Sequence, residues 1–458
     1  VSIEVKESCM IRVRTRQLGL VASFAVMVAI LAACSSAKEP MAPSERVETA
    51  PPPKAADAAP PSNLDLKPTQ PAPGTVVIPD RSGPPKVALL LPLSGRAAPV
   101  GKALRNAAEL ALFDIATDDF ALAFYDTASN PQTAAGVAQT AIADGADLII
   151  GPLFSDSARA VGPLAQAAGV PVLSFSNDRS AAGNGVWILG LLPGEQVERV
   201  IRYAAANGYG RIGVLAPSNA YGFEAMQAAR DTAAQAGATI TRMRSYTPGS
   251  TASLSETVKS FASYSDRQGE LERQKSALQS SGANTALSWL KGRQTSGAYP
   301  YDAMLVPEGG QAILNLAPLM AYYDIDPNEV QYLGTALWAD PALGREPTLV
   351  GGWFAAPDPA VRRPFVDRYR SVHGEAPHGL ASLAYDAVGL AAVLARQPAG
   401  DGFSVESLTQ PSGFNGADGL FRLLIDGTNQ RGLAILRLTA NGFERVDPAP
   451  QTFSPAIN

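Results

Sequence analysis

Lys86-Val87-Ala88-Leu89-Leu90-Leu91-Pro92-Leu93-Ser94-Gly95 is the stretch on which the fold turns. Five apolar residues, Val87 to Leu91, run without alternation and are stopped by Pro92 and then Ser94-Gly95. A short continuous apolar run between breakers reads as a strand buried on both faces. The next segment has another period: Val100 to Asp114 is alanine-rich with helical spacing. Strand then repeats at Ala121–Tyr125, helix at Pro131–Asp144, strand at Asp147–Ile150, helix at Ser157–Ala168 and strand at Val170–Phe175. Continuous apolar strands alternating with helices imply a parallel sheet covered on both sides, an α/β fold.

The rhythm restarts after Pro193. Glu195–Asn207 and Tyr221–Ala236 read as helices around a strand at Arg211–Ala216. Leu254, Val258 and Phe261 then sit at helical spacing, and a polar stretch follows to Ser281, so 250–300 is expected to be a helical insertion. Strands are expected at Ala303–Val306 and Val330–Leu337, with helices at Gln311–Tyr323, Pro364–His373 and Leu380–Arg396. Near the end, Gly419–Ile425 and Leu433–Leu438 alternate around Asp426-Gly427, a hairpin signal. Phe443–Val446 adds a last strand.

Upstream of Lys86 the chain cannot build a core. Residues 35–85 hold 13 prolines in 51 positions, with many alanines. Such a segment is extended: ~150 Å if fully polyproline-like, ~40 Å as a flexible coil. Before it, Arg12, Arg14 and Arg16 precede an apolar run from Leu18 to Ala33 that ends in Leu31-Ala32-Ala33-Cys34. That order is a secretory signal, and at roughly 16 residues the run is short for a ~20-residue membrane span. Its end resembles a bacterial lipobox, which implies that Cys34 receives a lipid. Glu4 and Glu7 do not suit a basic signal start, so translation is expected to begin at Met10. Cys9 would then be absent, leaving Cys34 as the single mature cysteine with no disulfide to form.

From Cys34 onward 425 residues remain, too many for one small core. Charged residues are 17% and apolar residues 46%, as in a well-buried α/β protein, and the net charge of −5 carries no basic stripe for nucleic acid.

Several breakpoints together resemble a known fold family: Pro92-Leu93-Ser94-Gly95, Gly151-Pro152-Leu153-Phe154-Ser155, Ser174-Phe175-Ser176-Asn177, Ala220-Tyr221-Gly222 and Ala384-Tyr385-Asp386-Ala387. The chain from 86 to 447 resembles the type I periplasmic-binding fold of leucine/isoleucine/valine-binding proteins: two doubly wound parallel-sheet lobes with a hinge and a cleft. Within that superfamily, Ala88–Gly95, Tyr125-Asp126-Thr127 and Gly145–Leu153 are similar to the penicillin-binding protein activator (LppC/LpoA-like) lipoproteins. The resemblance implies lobe 1 from 86–193 and 339–412, lobe 2 from 194–338 and 413–447 with the insertion at 250–300, and a tail at 448–458. Residues 1–33 are then the signal peptide and 34–85 the lipidated cysteine and linker.

Ligands of open α/β sheets bind beyond the carboxyl ends of the strands. Ser94, Ser155, Ser174, Ser176 and Asn177 stand there in lobe 1, and Tyr221 and Glu308 in lobe 2. Hydroxyls and helix-start amides suit a carboxylate, and Glu308 suits an ammonium. By the resemblance, Ser155 and Ser174–Ser176 match positions that hold an amino acid's backbone atoms. Trp338, near the expected return to lobe 1, reads first as core and otherwise as the cleft floor or a hinge brace, and Trp187, Trp289 and Trp353 read as structural. The histidines are His373 and His378 alone, with no clustered Cys, and neither G-x-S-x-G nor a phosphate loop occurs, so no enzyme, metal or cofactor is expected. Two functions remain. The resemblance implies a non-catalytic, lipid-anchored periplasmic regulator of peptidoglycan synthesis, at the outer membrane, with a bifunctional penicillin-binding protein as partner. The alternative is the substrate-binding receptor of an ABC importer, with a permease partner and an amino-acid-like ligand.

Overall fold

The structure, a computed structural model, describes residues 84–115, 121–249, 251–397 and 402–453. The signal segment, Cys34 and nearly all of the linker lie outside the described residues.

The first lobe opens with β1 (Lys86–Leu91), α1 (Ala98–Ile115), β2 (Ala121–Asp126), α2 (Pro131–Ala143), β3 (Leu148–Ile150), α3 (Ser155–Ala168), β4 (Val172–Ser174) and β5 (Val186–Ile188). Its strands are parallel in the order β2-β1-β3-β4-β5. Both faces are covered, as the unbroken apolar runs require. Leu89, Leu91, Leu148 and Ile150 pack on α1, and Ala88, Leu90, Ile149 and Val172 pack on α2 and α3. Local chemistry sets the helix ends: Asn130 Oδ1 caps α2 by accepting the Gln132 and Thr133 amides, and α3 stops at Gly169 with φ 68°. At Gly101 a Cβ would lie 2.0 Å from the Pro92 carbonyl, so glycine is required for α1 to seat on the end of β1.

The second lobe repeats the plan. It comprises α4 (Pro193–Ala206), β6 (Arg211–Pro217), α5 (Ala220–Gln235), β7 (Thr239–Tyr246), α6 (Thr251–Phe261), α7 (Tyr264–Ser280), α8 (Asn284–Trp289), β8 (Ala303–Leu305), α9 (Gly310–Tyr322), β9 (Gln331–Gly334) and β10 (Trp353–Ala356). The chain then runs through α10 (Pro359–His373), α11 (Ala381–Leu394), α12 (Val405–Leu408), β11 (Phe414–Gly416), β12 (Gly419–Leu423), β13 (Asn429–Arg431), β14 (Ala434–Thr439) and β15 (Gly442–Asp447). The second sheet is ordered β7-β6-β8-β9-β10-β14-β15, parallel from β7 to β10, with β14 and β15 antiparallel at the edge.

Two expected boundaries move. β10 pairs with β9 and β14, so the return to the first lobe follows Ala356 rather than 339. The Asp426-Gly427 turn joins β12 to the short β13, not to 433–438, and β11, β12 and β13 form a separate small sheet. Phe421 and Leu423 bury in the first lobe's core beside α1 and α11, so 413–431 belongs with that lobe. Only β14 and β15 cross to the second sheet.

The lobes are thus joined by three crossings, at 189–192, 357–358 and 432–433. The first and third lie side by side and are stitched together. Asn429 Nδ2 donates to the Ile188 (2.7 Å) and Gly190 (2.9 Å) carbonyls, and Arg431 Nη2 to that of Leu189 (2.9 Å). On the second, Asp358 Oδ1 caps α10 through the Ala360 amide, while Oδ2 takes Arg445 from β15 at 2.7 Å.

Candidate functional site

A doubly wound sheet opens a crevice where successive connections leave on opposite faces. In the first sheet that point lies between β1 and β3, and in the second between β6 and β8. The residues just beyond these four strands are therefore the candidate cleft walls.

On the first wall, Asp126 at the end of β2 organises the loop after β1. Its carboxylate accepts the amides of Leu93 (2.9 Å), Ser94 (3.1 Å) and Ala128 (2.8 Å). Burial raises this carboxyl's pKa, but the Ser94 hydroxyl and the three amides outweigh it and hold it below the usual range. Ser94 is exposed at the cleft edge with its hydroxyl already given to Asp126. Ser129 Oγ donates to the Ser94 carbonyl (3.0 Å) and accepts the Ala97 amide (3.2 Å), pinning the loop a second time.

Ser155 is the first residue of α3 and half-buried. Its hydroxyl bonds Asp178, which also takes Arg159 at 3.1 Å and the Ser180 amide and hydroxyl. Burial raises the Asp178 pKa, and these bonds more than offset it, leaving the carboxyl lowered. Ser174 and Ser176 correct the sequence expectation. Both are buried within the wall: Ser174 Oγ donates to the Pro152 carbonyl (2.9 Å), and Ser176 Oγ accepts the Asp178 amide (3.0 Å). Their hydroxyls brace β4 against the loop after β3 instead of lining the cleft. Asn177 is exposed.

Sequence reasoning missed Arg96. It stands one residue past Gly95, exposed, with its guanidinium 4.9 Å over the ring of Phe154. Phe154 precedes α3, so the pair bridges the two loops that diverge at the first switch point. Among the described residues no carboxylate stands within ion-pair distance of Arg96. A cation held over an aromatic face and left unpaired suits a small carboxylate.

The second wall holds Tyr221 and Glu308. Asn219 caps α5 by accepting the Gly222 amide (2.9 Å), which sets Tyr221 in the first turn. Tyr221 donates to Thr335 Oγ1 at 2.9 Å, and burial pushes its hydroxyl up to about 12. Gln196 lies against the same group. Its Nε2 donates to the Leu191 and Leu192 carbonyls while its Oε1 accepts the Ala336 amide, so Tyr221 is tied to the hinge. Glu308 follows β8; it accepts the Tyr246 hydroxyl at 2.6 Å and the Gly309 amide at 3.1 Å. Burial, then Glu308, raises the Tyr246 hydroxyl far above its ordinary value. Phe223 and Leu337, both beyond strand ends of this sheet, expose large apolar surface. Trp338 is in the second lobe's core, on Gly334 and Gly352, and not on the cleft floor.

At the hinge, Glu195 near the start of α4 accepts the Arg431 amide at 3.1 Å. Burial pushes its carboxyl up to about 8, the Arg431 charge and amide offsetting only part. Glu224 on α5 is raised by burial too, and it feels Arg179 and Asp178 of the first lobe. His378 Nδ1 accepts the Leu380 amide (3.1 Å), and His373 packs on Tyr369, 4.5 Å between centroids. Among the described residues no group of three or more His, Cys, Asp or Glu is placed to hold a metal, and no helix is long and apolar enough to cross a membrane.

Two doubly wound lobes, three crossings and a cleft at paired switch points are the architecture of periplasmic solute receptors. The profile of the family described as periplasmic binding protein matches residues 84–442. The chain belongs to the periplasmic binding protein family. Among solved structures it is similar to a putative branched-chain amino acid ABC transporter protein from Rhodospirillum rubrum, with 16% identity, TM-score 0.62, and 79% of this chain and 99% of that one covered. It is also similar to an ABC transporter solute binding protein from Rhodopseudomonas palustris BisB5 in complex with 3,4-dihydroxy benzoic acid (18%, 0.55, 82% and 99%). A third is the branched-chain amino acid transporter substrate binding protein from Streptococcus pneumoniae in complex with isoleucine (19%, 0.53, 80% and 99%). These likenesses show the fold: a type I periplasmic-binding architecture related to leucine-binding proteins. No curated protein matches the chain.

Proposed function

We propose that this protein is the solute-binding receptor of an ABC importer, taking a small carboxylate with an apolar body into the cleft between its lobes. The observation that carries the reading is Arg96, unpaired on Phe154 at the first switch point. An aromatic acid such as the one bound to the Rhodopseudomonas protein needs that cation and a ring to lie against. An aliphatic amino acid, as on the Streptococcus protein, needs in addition a carboxylate for its ammonium, the part assigned to Glu308. The partner is then an ABC permease, and the location periplasmic. The Leu31-Ala32-Ala33-Cys34 pattern supports a lipid anchor on Cys34, with the Pro/Ala linker as tether. Incorporation of labelled palmitate, abolished by Cys34→Ser, tests the anchor.

A melting-temperature screen of branched-chain amino acids and benzoates tests the receptor. A ligand at 100 times its Kd adds ~2.7 kcal/mol. With an unfolding entropy of ~0.8 kcal/mol/K for roughly 370 residues, that is a rise of about 3 °C.

A second reading has its own support. Ser94, Ser155, Ser174 and Ser176 spend their hydroxyls inside the wall, which suits a protein that docks on another more than one that grips a solute. On that reading the chain is the activator-like regulator of a bifunctional penicillin-binding protein. No melting shift across the panel, together with stimulation of such a synthase by the purified protein, would select it.

A further inference from the structure

The second lobe carries a helical hairpin at the end away from the cleft. β7 and β8 both run parallel to β6, so the chain must return from the cleft end of β7 to the far end of the sheet before β8 can start. The 11 residues of α6, ~16 Å long, make that return. Everything between Phe261 and Ala303, α7 and α8 included, therefore hangs from the far pole. Two bonds fix its root. Arg267 Nη1 donates to the Asp324 carbonyl (3.1 Å) where α7 starts, and the Ser296 amide donates to the Arg267 carbonyl (3.0 Å) where the chain comes back. Beyond Leu271 no residue of α7 or α8 is buried.

The hairpin shows solvent an aromatic ring among cations. Trp289, expected to be structural, is 74% exposed at the end of α8, with Leu287 and Leu290 half-buried beside it in the chain. Tyr322, at the end of α9 on the same pole, is 66% exposed. Arg273 to Pro300 holds four cations and no carboxylate, in a chain whose net charge is −5. Glu270 answers Arg273 (2.6 Å) and Glu272 answers Lys275 (2.9 Å). Lys291 and Arg293, just past Trp289, are exposed, and among the described residues no carboxylate lies within ion-pair distance of either. The other carboxylates of this pole stand at the root. Asp302 holds Arg211 and Asp324 faces Arg267 at 3.6 Å, while Asp266, Asp326 and Glu329 lie there with Lys259. The uncompensated positive charge therefore belongs to the returning limb that bears Trp289.

We propose that this pole rests on a bilayer surface with anionic headgroups, Trp289 entering the interface and Lys291 and Arg293 meeting the phosphates. Tryptophan favours the membrane–water boundary, where its ring lies in an apolar layer and its N–H stays wet. Cations beside it draw the same face to anionic lipid. One ring and two cations hold weakly alone, so the contact depends on a tether that keeps the membrane close. It rests on the lipid anchor proposed for Cys34 and is independent of the solute in the cleft. The linker enters the fold at Lys86 and reaches ~150 Å when extended, which lets the second lobe's pole meet the membrane that holds Cys34.

The test adds the full chain to vesicles of brominated phosphatidylglycerol or brominated phosphatidylcholine and reads tryptophan emission, with vesicle flotation alongside. Trp187 and Trp338 are buried and Trp353 is half-buried against Tyr203 and Tyr209, so Trp289 is the ring that lipid can reach. Brominated phosphatidylglycerol is expected to quench the native chain by up to the share of one tryptophan in four, and to leave Trp289→Phe unquenched. Lys291→Ala with Arg293→Ala is expected to weaken the contact about 30-fold, ~1 kcal/mol for each cation, and phosphatidylcholine should quench the native chain less than half as much. Flotation reports the anchor and quenching reports the pole. Quenching that Trp289→Phe shares, equal quenching by the two lipids, or no quenching at all, which would assign the ring to a protein partner, overturns the proposal. A chain that floats in that case keeps its anchor, and one that does not float loses both.

Discussion

Replacing Glu195 with glutamine should make the protein more stable at alkaline pH and leave it nearly unchanged in mild acid. Glu195 stands where the first crossing enters α4 and accepts the Arg431 amide of the third crossing. Burial lifts its carboxyl from an ordinary 4.5 to about 8, so the folded chain holds a proton across a range where the unfolded chain has lost it. The sign follows from linkage: a folded-state pKa above the unfolded one gives stability that is complete below pH ~4.5 and lost as pH rises through ~8. At ~1.36 kcal/mol per pH unit, a gap of roughly 3.5 units bounds the loss at ~5 kcal/mol, and relaxation of the hinge lowers it to about 2–5 kcal/mol. Glutamine keeps an oxygen for the Arg431 amide and removes the ionisation. Divided by ~0.8 kcal/mol/K, the gain at pH 9 is about 3–6 °C in Tm. Scanning calorimetry of both proteins at pH 4.5 and pH 9, at one ionic strength, measures it. Asp386 ionises over part of the same range in both proteins, so only the difference between them is informative. The same Tm difference at both pH values would refute the reasoning.

Other substitutions probe the scaffold and cleft. Gly101→Ala drives a Cβ to 2.0 Å from the Pro92 carbonyl and should cost about 3 kcal/mol or more, whereas Gly136→Ala, with nothing within 4 Å on α2, should gain about 0.5–1 kcal/mol; denaturant or thermal unfolding reads both. Trp338→Ala empties the second lobe's core and should lower stability by about 3–5 kcal/mol on the same measurement. Tyr246→Phe removes the donor on Glu308, so a ligand carrying an ammonium should bind more tightly while a plain carboxylate is unaffected, as titration calorimetry would show.

Much of this architecture was legible in the chain, for a physical reason. Val87–Leu91, Leu148–Ile150 and Ile212–Ala216 are buried on both faces, so they are written as unbroken apolar runs. The strands that escaped notice carry no such mark. β7 is an edge strand whose Thr-Ile-Thr-Arg-Met-Arg leaves much of its length exposed, and β5 and β10 have only three and four residues. The Asp426-Gly427 signal was real but misassigned its partner, because β13 spans three residues and holds its place through Asn429 and the crossing some 240 residues earlier. Contacts at that separation leave no local pattern. The candidate cleft was read from strand ends alone, which place Ser94, Ser155, Tyr221 and Glu308 in the loops and helix starts that follow them, yet the burial of Ser174 and Ser176 and the stacking of Arg96 on Phe154 depend on loops meeting in space.

The central claim is that Arg96 reads a carboxylate. The decisive measurement is titration of the tightest-binding carboxylate from the melting screen alongside its uncharged amide, on the native protein and on Arg96→Ala. A charge-assisted bond to an ionised group contributes ~1.5–3 kcal/mol, so the acid should bind about 10- to 150-fold more tightly than the amide, and the alanine variant should lose that preference. Equal affinity for acid and amide, or a preference that survives in Arg96→Ala, would contradict it.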